Sequence, residues 1–154
     1  MPTSAVPGPG QPETLSRLRA ATESAPDASL RLSVLAERLA VCRLDPGAEI
    51  PAWATAASFF SVTRTPDELS IVCPEPNVPM GTAYEGGWRA LRLEGPFDFG
   101  LVGVLASVIV PLAENEVGIL AIATYDTDYV LVAESQLDLA TQTLRERGLE
   151  VRRA

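Results

Sequence analysis

Residues Thr124–Val132, TYDTDYVLV, decide the fold. Val, Ile, Tyr and Thr on both sides suit a pleated, half-buried surface, so Gly118–Thr124 and Asp128–Ala133 read as two strands. Between them lies a short turn with two carboxylates, Asp126 and Asp128. Two acids at the tip of an apolar hairpin are placed to receive a small cationic group, although Asp also serves turns through local hydrogen bonds.

Upstream of this hairpin, Asp98 is an expected N-cap for a helix over Phe99–Asn115. Leu101, Leu105, Val108, Ile109 and Leu112 share one face of that helix, and Pro111 bends its last turns. Before it, Trp88–Glu94 reads as a strand ended by Gly95-Pro96. Downstream, Ser135 and Asp138 suggest a capping box for a helix over Gln136–Arg147. Gly148 closes that helix as its C′ residue, and Leu149–Arg152 is a last strand. The order is β-α-β-β-α-β.

The first half gives a fainter version. Leu30–Leu35 and Leu39–Leu44 read as strands separated by Ala36-Glu37-Arg38. Pro51 opens a short helix over Ala52–Ala57. Phe59–Arg64 and Glu68–Cys73 form a hairpin, and Pro74–Gly87 reads as irregular because of its prolines and glycines. An offset of 61 residues takes Leu30-Arg31-Leu32 to Leu91-Arg92-Leu93, Thr63 to Thr124 and Asp67 to Asp128, as an internal duplication would. Met1–Ser29, rich in Pro, Gly, Ser, Ala and Thr, reads as a disordered tail. The domains are then 1–29 (tail), 30–87 (first, degenerate unit) and 88–154 (second unit).

Composition narrows the function. The net charge is −8, and all twelve basic residues are scattered arginines, which argues against nucleic acid. There is no His and no Lys. Imidazole bases, His metal ligands, Schiff-base lysines and P-loop lysines are therefore all absent, and no catalytic motif stands out, so the chain does not read as an enzyme. Cys42 and Cys73 lack metal-ligand spacing and read as buried reduced thiols. Neither a signal peptide nor a membrane span is legible, so the expected location is cytoplasmic.

Several blocks in order carry a family likeness: Phe59–Thr65, Asp67–Val72, Trp88–Leu91, Glu94–Phe99, Gly103–Ser107, Pro111–Glu114 and Thr124–Val132. Together they resemble the ACT domain, and within it the subgroup of aspartate kinases and CASTOR arginine sensors, over about Leu30–Arg152. The resemblance implies an α+β, ferredoxin-like fold with two ACT-like units in tandem, antiparallel sheets and helices on one face. It implies a ligand held between paired units, by Asp98, Phe99, Gly100, Leu101, Val102 and Gly103 on one side and Thr124, Tyr125, Asp126 and Asp128 opposite. Ser61, Thr63 and Thr65 of the first hairpin would face the same pocket. Gly100 and Gly103 let a ligand approach the N–H groups at a helix start, or simply let the helix pack closely. The implied function is amino-acid sensing that changes assembly, as a homodimer or with a protein partner in trans, without a cofactor. The rival expectation is a protein–protein scaffold without a ligand, pairing through an exposed edge at Leu149–Arg152 or Leu30–Leu35.

Overall fold

A computed structural model describes residues 30–98 and 102–153. The expected tail, together with Phe99, Gly100 and Leu101, lies outside the described residues. The elements are β1 (Arg31–Leu44), β2 (Ser61–Arg64), β3 (Leu69–Pro74), β4 (Ala83–Leu93), α1 (Val104–Glu114), β5 (Ile119–Ala123), β6 (Asp128–Ala133), α2 (Leu137–Glu146) and β7 (Glu150–Arg153). Short 3-10 turns occupy Ala52–Thr55, Glu75–Asn77 and Glu134–Gln136.

The fold is α+β. One sheet runs β2-β3-β1-β4-β6-β5, antiparallel throughout, and β7 joins it parallel to the start of β1. From β4 to β7 the order is βαββαβ. β7 does not pair with β4, because residues 32–34 of β1 lie between them and pair with both. Leu30–Leu35 is therefore an interior segment and not the expected exposed edge.

Two expected breaks are absent. β1 is a single strand of fourteen residues, and the polar stretch near Glu37 and Arg38 is absorbed as register shifts against β4. β4 begins at Ala83, five residues before Trp88. The glycines that suggested a loop admit a side chain instead. A Cβ on Gly86 would stand 2.8 Å from the Glu75 carboxylate, whose Oε2 accepts the Gly87 N–H at 2.8 Å. Arg38 donates to the same oxygen at 2.9 Å and reaches Glu134 at 3.1 Å, so one guanidinium joins the ends of β3 and β6.

The helices also start differently. α1 begins at Val104 behind a left-handed Gly103 (φ +88°), so Asp98 is not its N-cap, and the helix runs through Pro111 to Glu114. α2 follows a 3-10 turn and has no side-chain cap, so Ser135 forms no capping box. Gly148 does close α2 at φ +85°, with its own N–H on Arg145 O and that of Leu149 on Leu144 O.

Three apolar clusters hold the layers. Leu32, Val34, Leu91 and Val130 pack beneath Val108 of α1 and Leu144 of α2. Ala40, Cys42, Ile71 and Cys73 pack beneath Trp53 and Ala54. On the alternate positions, Leu39, Val72, Ala90 and Leu131 lie under Trp88 and the Phe59–Tyr129 pair, whose ring centroids are 4.8 Å apart.

Both cysteines are free and buried. Burial chiefly, and the neighbouring Cys73 thiol next, push the Cys42 thiol up to about 12 from 9.0. Burial raises Cys73 as well. Above pH 9.0 the unfolded chain loses thiol protons that the native protein keeps. Stability should therefore hold below that pH and fall as pH rises towards about 12. Urea titrations across this window should show a shallower fall in the Cys42→Ala/Cys73→Ala variant. Equal slopes in both proteins would remove the thiols from the explanation.

Candidate functional site

The tip of the β5–β6 hairpin is built by Thr124. Its N–H and hydroxyl both donate to Thr127 O, at 2.8 and 2.7 Å, and its Oγ1 accepts the Thr127 N–H at 3.2 Å. Thr127 is 7 % exposed and donates its hydroxyl to Leu93 O at the end of β4. The chain leaving β4 returns the contact, since the Phe97 N–H donates to Asp126 O at 2.9 Å. Between them lies Gly95-Pro96, a cis peptide.

These two segments and the start of α1 enclose a cleft of about 300 Å³. One wall is Phe97 and Asp98, the second Gly103–Ala106, the third Ala123–Asp128. Asp98, Gly103, Thr124, Tyr125, Asp126 and Asp128 are thus brought together. Val102 is 80 % exposed and does not line the cleft. Ser61 and Thr63 lie on β2, and Thr65 in the turn after it, at the opposite edge of the sheet from β5. Phe97, Val104, Leu105, Ala106, Ala123 and Thr127 line the cleft without having been singled out in the sequence. Thr127 follows from Thr124, whose hydroxyl closes the turn on the backbone three residues on, while the bond of Thr127's own hydroxyl to Leu93 O is long-range and has no local signal.

The walls differ in charge. Three carboxylates face the cleft, no arginine lines it, and Asp126 and Asp128 form no ion pair among the described residues. Asp128 is half-buried at the root of β6, whereas Asp126 is exposed at the tip. Opposite them, α1 starts with no side-chain cap, and its first helical bond is Ser107 N–H to Gly103 O at 2.9 Å. The N–H groups of Val104, Leu105 and Ala106 precede that bond, at the positive end of the helix. The cleft can hold a cationic group against the acids and an anionic one against the helix start.

The first hairpin repeats this turn. Thr65 donates its N–H to Glu68 O at 2.9 Å, its hydroxyl faces the same oxygen at 3.4 Å, and its Oγ1 accepts the Glu68 N–H at 3.2 Å. The repeat therefore takes Thr65 to Thr124, Leu69 to Asp128 and Glu75 to Glu134, an offset of 59 and not 61. The counterpart of Asp67 is Asp126, not Asp128. Identities alone misplace the register because Thr63-Arg64-Thr65 offers two threonines, and only one closes the turn.

Comparisons with known proteins bear on the same segments. A model of the ACT domain matches residues 83–146, and a model of another family's N-terminal domain matches residues 37–81. The chain is 33 % identical over 97 residues to the cytosolic arginine sensor for mTORC1 subunit 1 of Bos taurus, across 56 % of this chain. The match spans only 30 % of that protein's length. A crystal structure of a protein from Agobacterium tumefaciens superposes with a TM-score of 0.79 and 36 % identity, covering 84 % of this chain and 96 % of that one. The structure of aspartokinase alpha and beta subunits shares the fold, with a TM-score of 0.54 and 18 % identity over 78 % of this chain and 98 % of that one.

Proposed function

The chain belongs to the ACT-domain proteins of the aspartate kinase and CASTOR-like type, and from that membership we propose that it is a regulatory module that binds an amino acid in the Asp98–Asp128 cleft. The observation that carries this reading is the pairing of acids on one wall with an uncapped helix start on the other. An α-amino acid presents the complementary pair, an ammonium for Asp128 and a carboxylate for the N–H groups of α1. Tyr125, 80 % exposed at the rim, is placed to cover the ligand's stem.

The protein works without catalysis, in the cytoplasm, as a homodimer or with a protein partner in trans. Binding draws the hairpin tip, the segment after β4 and α1 together, and so shifts an assembly equilibrium. The division into units at 30–87 and 88–154 belongs to this reading. The two family models meet a few residues earlier, at residues 81 and 83, just ahead of β4. β1 and β4, side by side in the middle of the sheet, form the seam.

Thermal melts against the twenty amino acids test the proposal. A ligand at a hundred times its Kd adds about 2.7 kcal/mol of stability, which raises the midpoint by about 5–10 °C for a domain of this size. Asp128→Ala should remove that rise. If no amino acid moves the midpoint, the sensor reading fails and the scaffold reading takes its place. The scaffold would then use β5, an edge strand of five uncharged residues with Leu120 exposed.

A further inference from the structure

The register of the repeat sets Arg64 against Ala123. Each is the last residue of its strand before the matching turn, and each faces its counterpart across the hairpin, Arg64 opposite Leu69 and Ala123 opposite Asp128. In the second half, Ala123 ends at its Cβ and lines the open cleft between the hairpin tip and the segment that follows β4. In the first half, the Arg64 guanidinium crosses to the segment that follows β1. One of its terminal nitrogens donates to Pro46 O and the other to Ala48 O, the latter at 2.7 Å.

The surroundings are arranged around that crossing. Asp45 accepts the Gly47 N–H at 2.8 Å and its carbonyl accepts the Ala48 N–H at 3.0 Å, a tight turn that presents the two carbonyls. Arg43 ties the hairpin tip from the other side, donating to Glu68 and to Asp67 O. β1 and β4 are antiparallel neighbours, so the segments after them leave at opposite ends of the central pair, as a two-fold repeat requires.

We propose that the first half contains a second cation site, the counterpart of the open cleft, and that the protein fills it with its own Arg64. Its ligand class is a planar guanidinium, because two carbonyls are engaged by two different nitrogens of one rigid fork. A lysine ammonium is a single point and does not span them in the same way. The chain thus carries one open site and one closed from within, and removing Arg64 opens the latter. The proposal does not depend on an amino acid binding in the other cleft.

Chemical rescue tests it on the full chain. Arg64→Ala should melt about 3 °C lower than wild type, the shift that an exposed charged hydrogen-bond pair is worth in a domain of this size. Millimolar methylguanidinium should restore most of that loss in Arg64→Ala, a larger rise than the open cleft gives wild type, and methylammonium at equal ionic strength should restore none. Calorimetric titration with methylguanidinium should show one more site per chain in the variant than in wild type. Arg64→Lys, which keeps the charge and stem, should fold and gain no such site; Arg64→Ser replaces the alanine variant if that one is insoluble. An equal response in wild type, an equal response to methylammonium, or no added site in a folded Arg64→Ala overturns the proposal.

Discussion

Replacing Gly95 by alanine should lower the thermal midpoint by about 5–10 °C, equivalent to about 2–3 kcal/mol. A Cβ there would stand 2.7 Å from Asp126 O and 3.1 Å from Phe97 N. Those two atoms are the acceptor and donor of the bond that fastens the segment after β4 to the hairpin tip. Neither belongs to a flexible side chain, so the backbone itself has to move. The new methyl group enters the seam from which the cleft is built, and ligand binding should weaken together with stability. Gly118→Ala is the matched control, since a Cβ at Gly118 meets nothing within 4 Å. Circular-dichroism melts of both variants decide the matter. A Gly95→Ala midpoint within a degree of wild type, or a Gly118→Ala loss of the same size, would refute the steric account.

The contrast between these glycines also explains what was legible in the sequence. Gly148 was readable because a helix end needs a left-handed residue, and that need is local. The β5–β6 hairpin was readable for the same reason: β-formers on either side of a short acidic turn. Gly86 and Gly87 read locally as loop, because what they accommodate is the Glu75 carboxylate, which arrives from the turn after β3. The unbroken β1 was hidden likewise, since Arg38 stays in the sheet by bonding Glu75 and Glu134 far along the chain. Asp98 signals a helix from Phe99 because a side-chain cap is the usual marker, whereas the protein starts α1 behind the backbone of Gly103.

The site divides along the same line. Asp98, Gly103 and the 124–128 turn lie on segments whose ends the sequence marks, and they do meet. Ser61, Thr63 and Thr65 looked equivalent to them through the repeat, but in a single sheet the two hairpins occupy opposite edges. Ala123 carried no signal of its own. Its role emerges only when the offset is 59 and its counterpart is seen to be an arginine.

That counterpart gives the second large effect. Ala123→Arg should abolish the midpoint rise produced by the amino acid that stabilises wild type, while leaving the unliganded midpoint near its wild-type value. Ala123 is exposed at the end of β5, so a longer side chain meets no packed core there. Its guanidinium would lie across the cleft beside the carboxylates of Asp98, Asp126 and its cross-strand partner Asp128, as Arg64 lies across the first-half counterpart. A tethered cation competes at a high effective concentration, so a free ligand should bind at least about a hundredfold more weakly, near 2.7 kcal/mol. Asp128→Ala and Ala123→Arg then remove binding by different routes, one by deleting the acceptor and the other by occupying it. If Ala123→Arg still responds to the amino acid as wild type does, the ligand sits elsewhere and the cleft loses its assignment. If both variants lose the response while melting like wild type, the hairpin tip is the wall against which the ligand's cation rests.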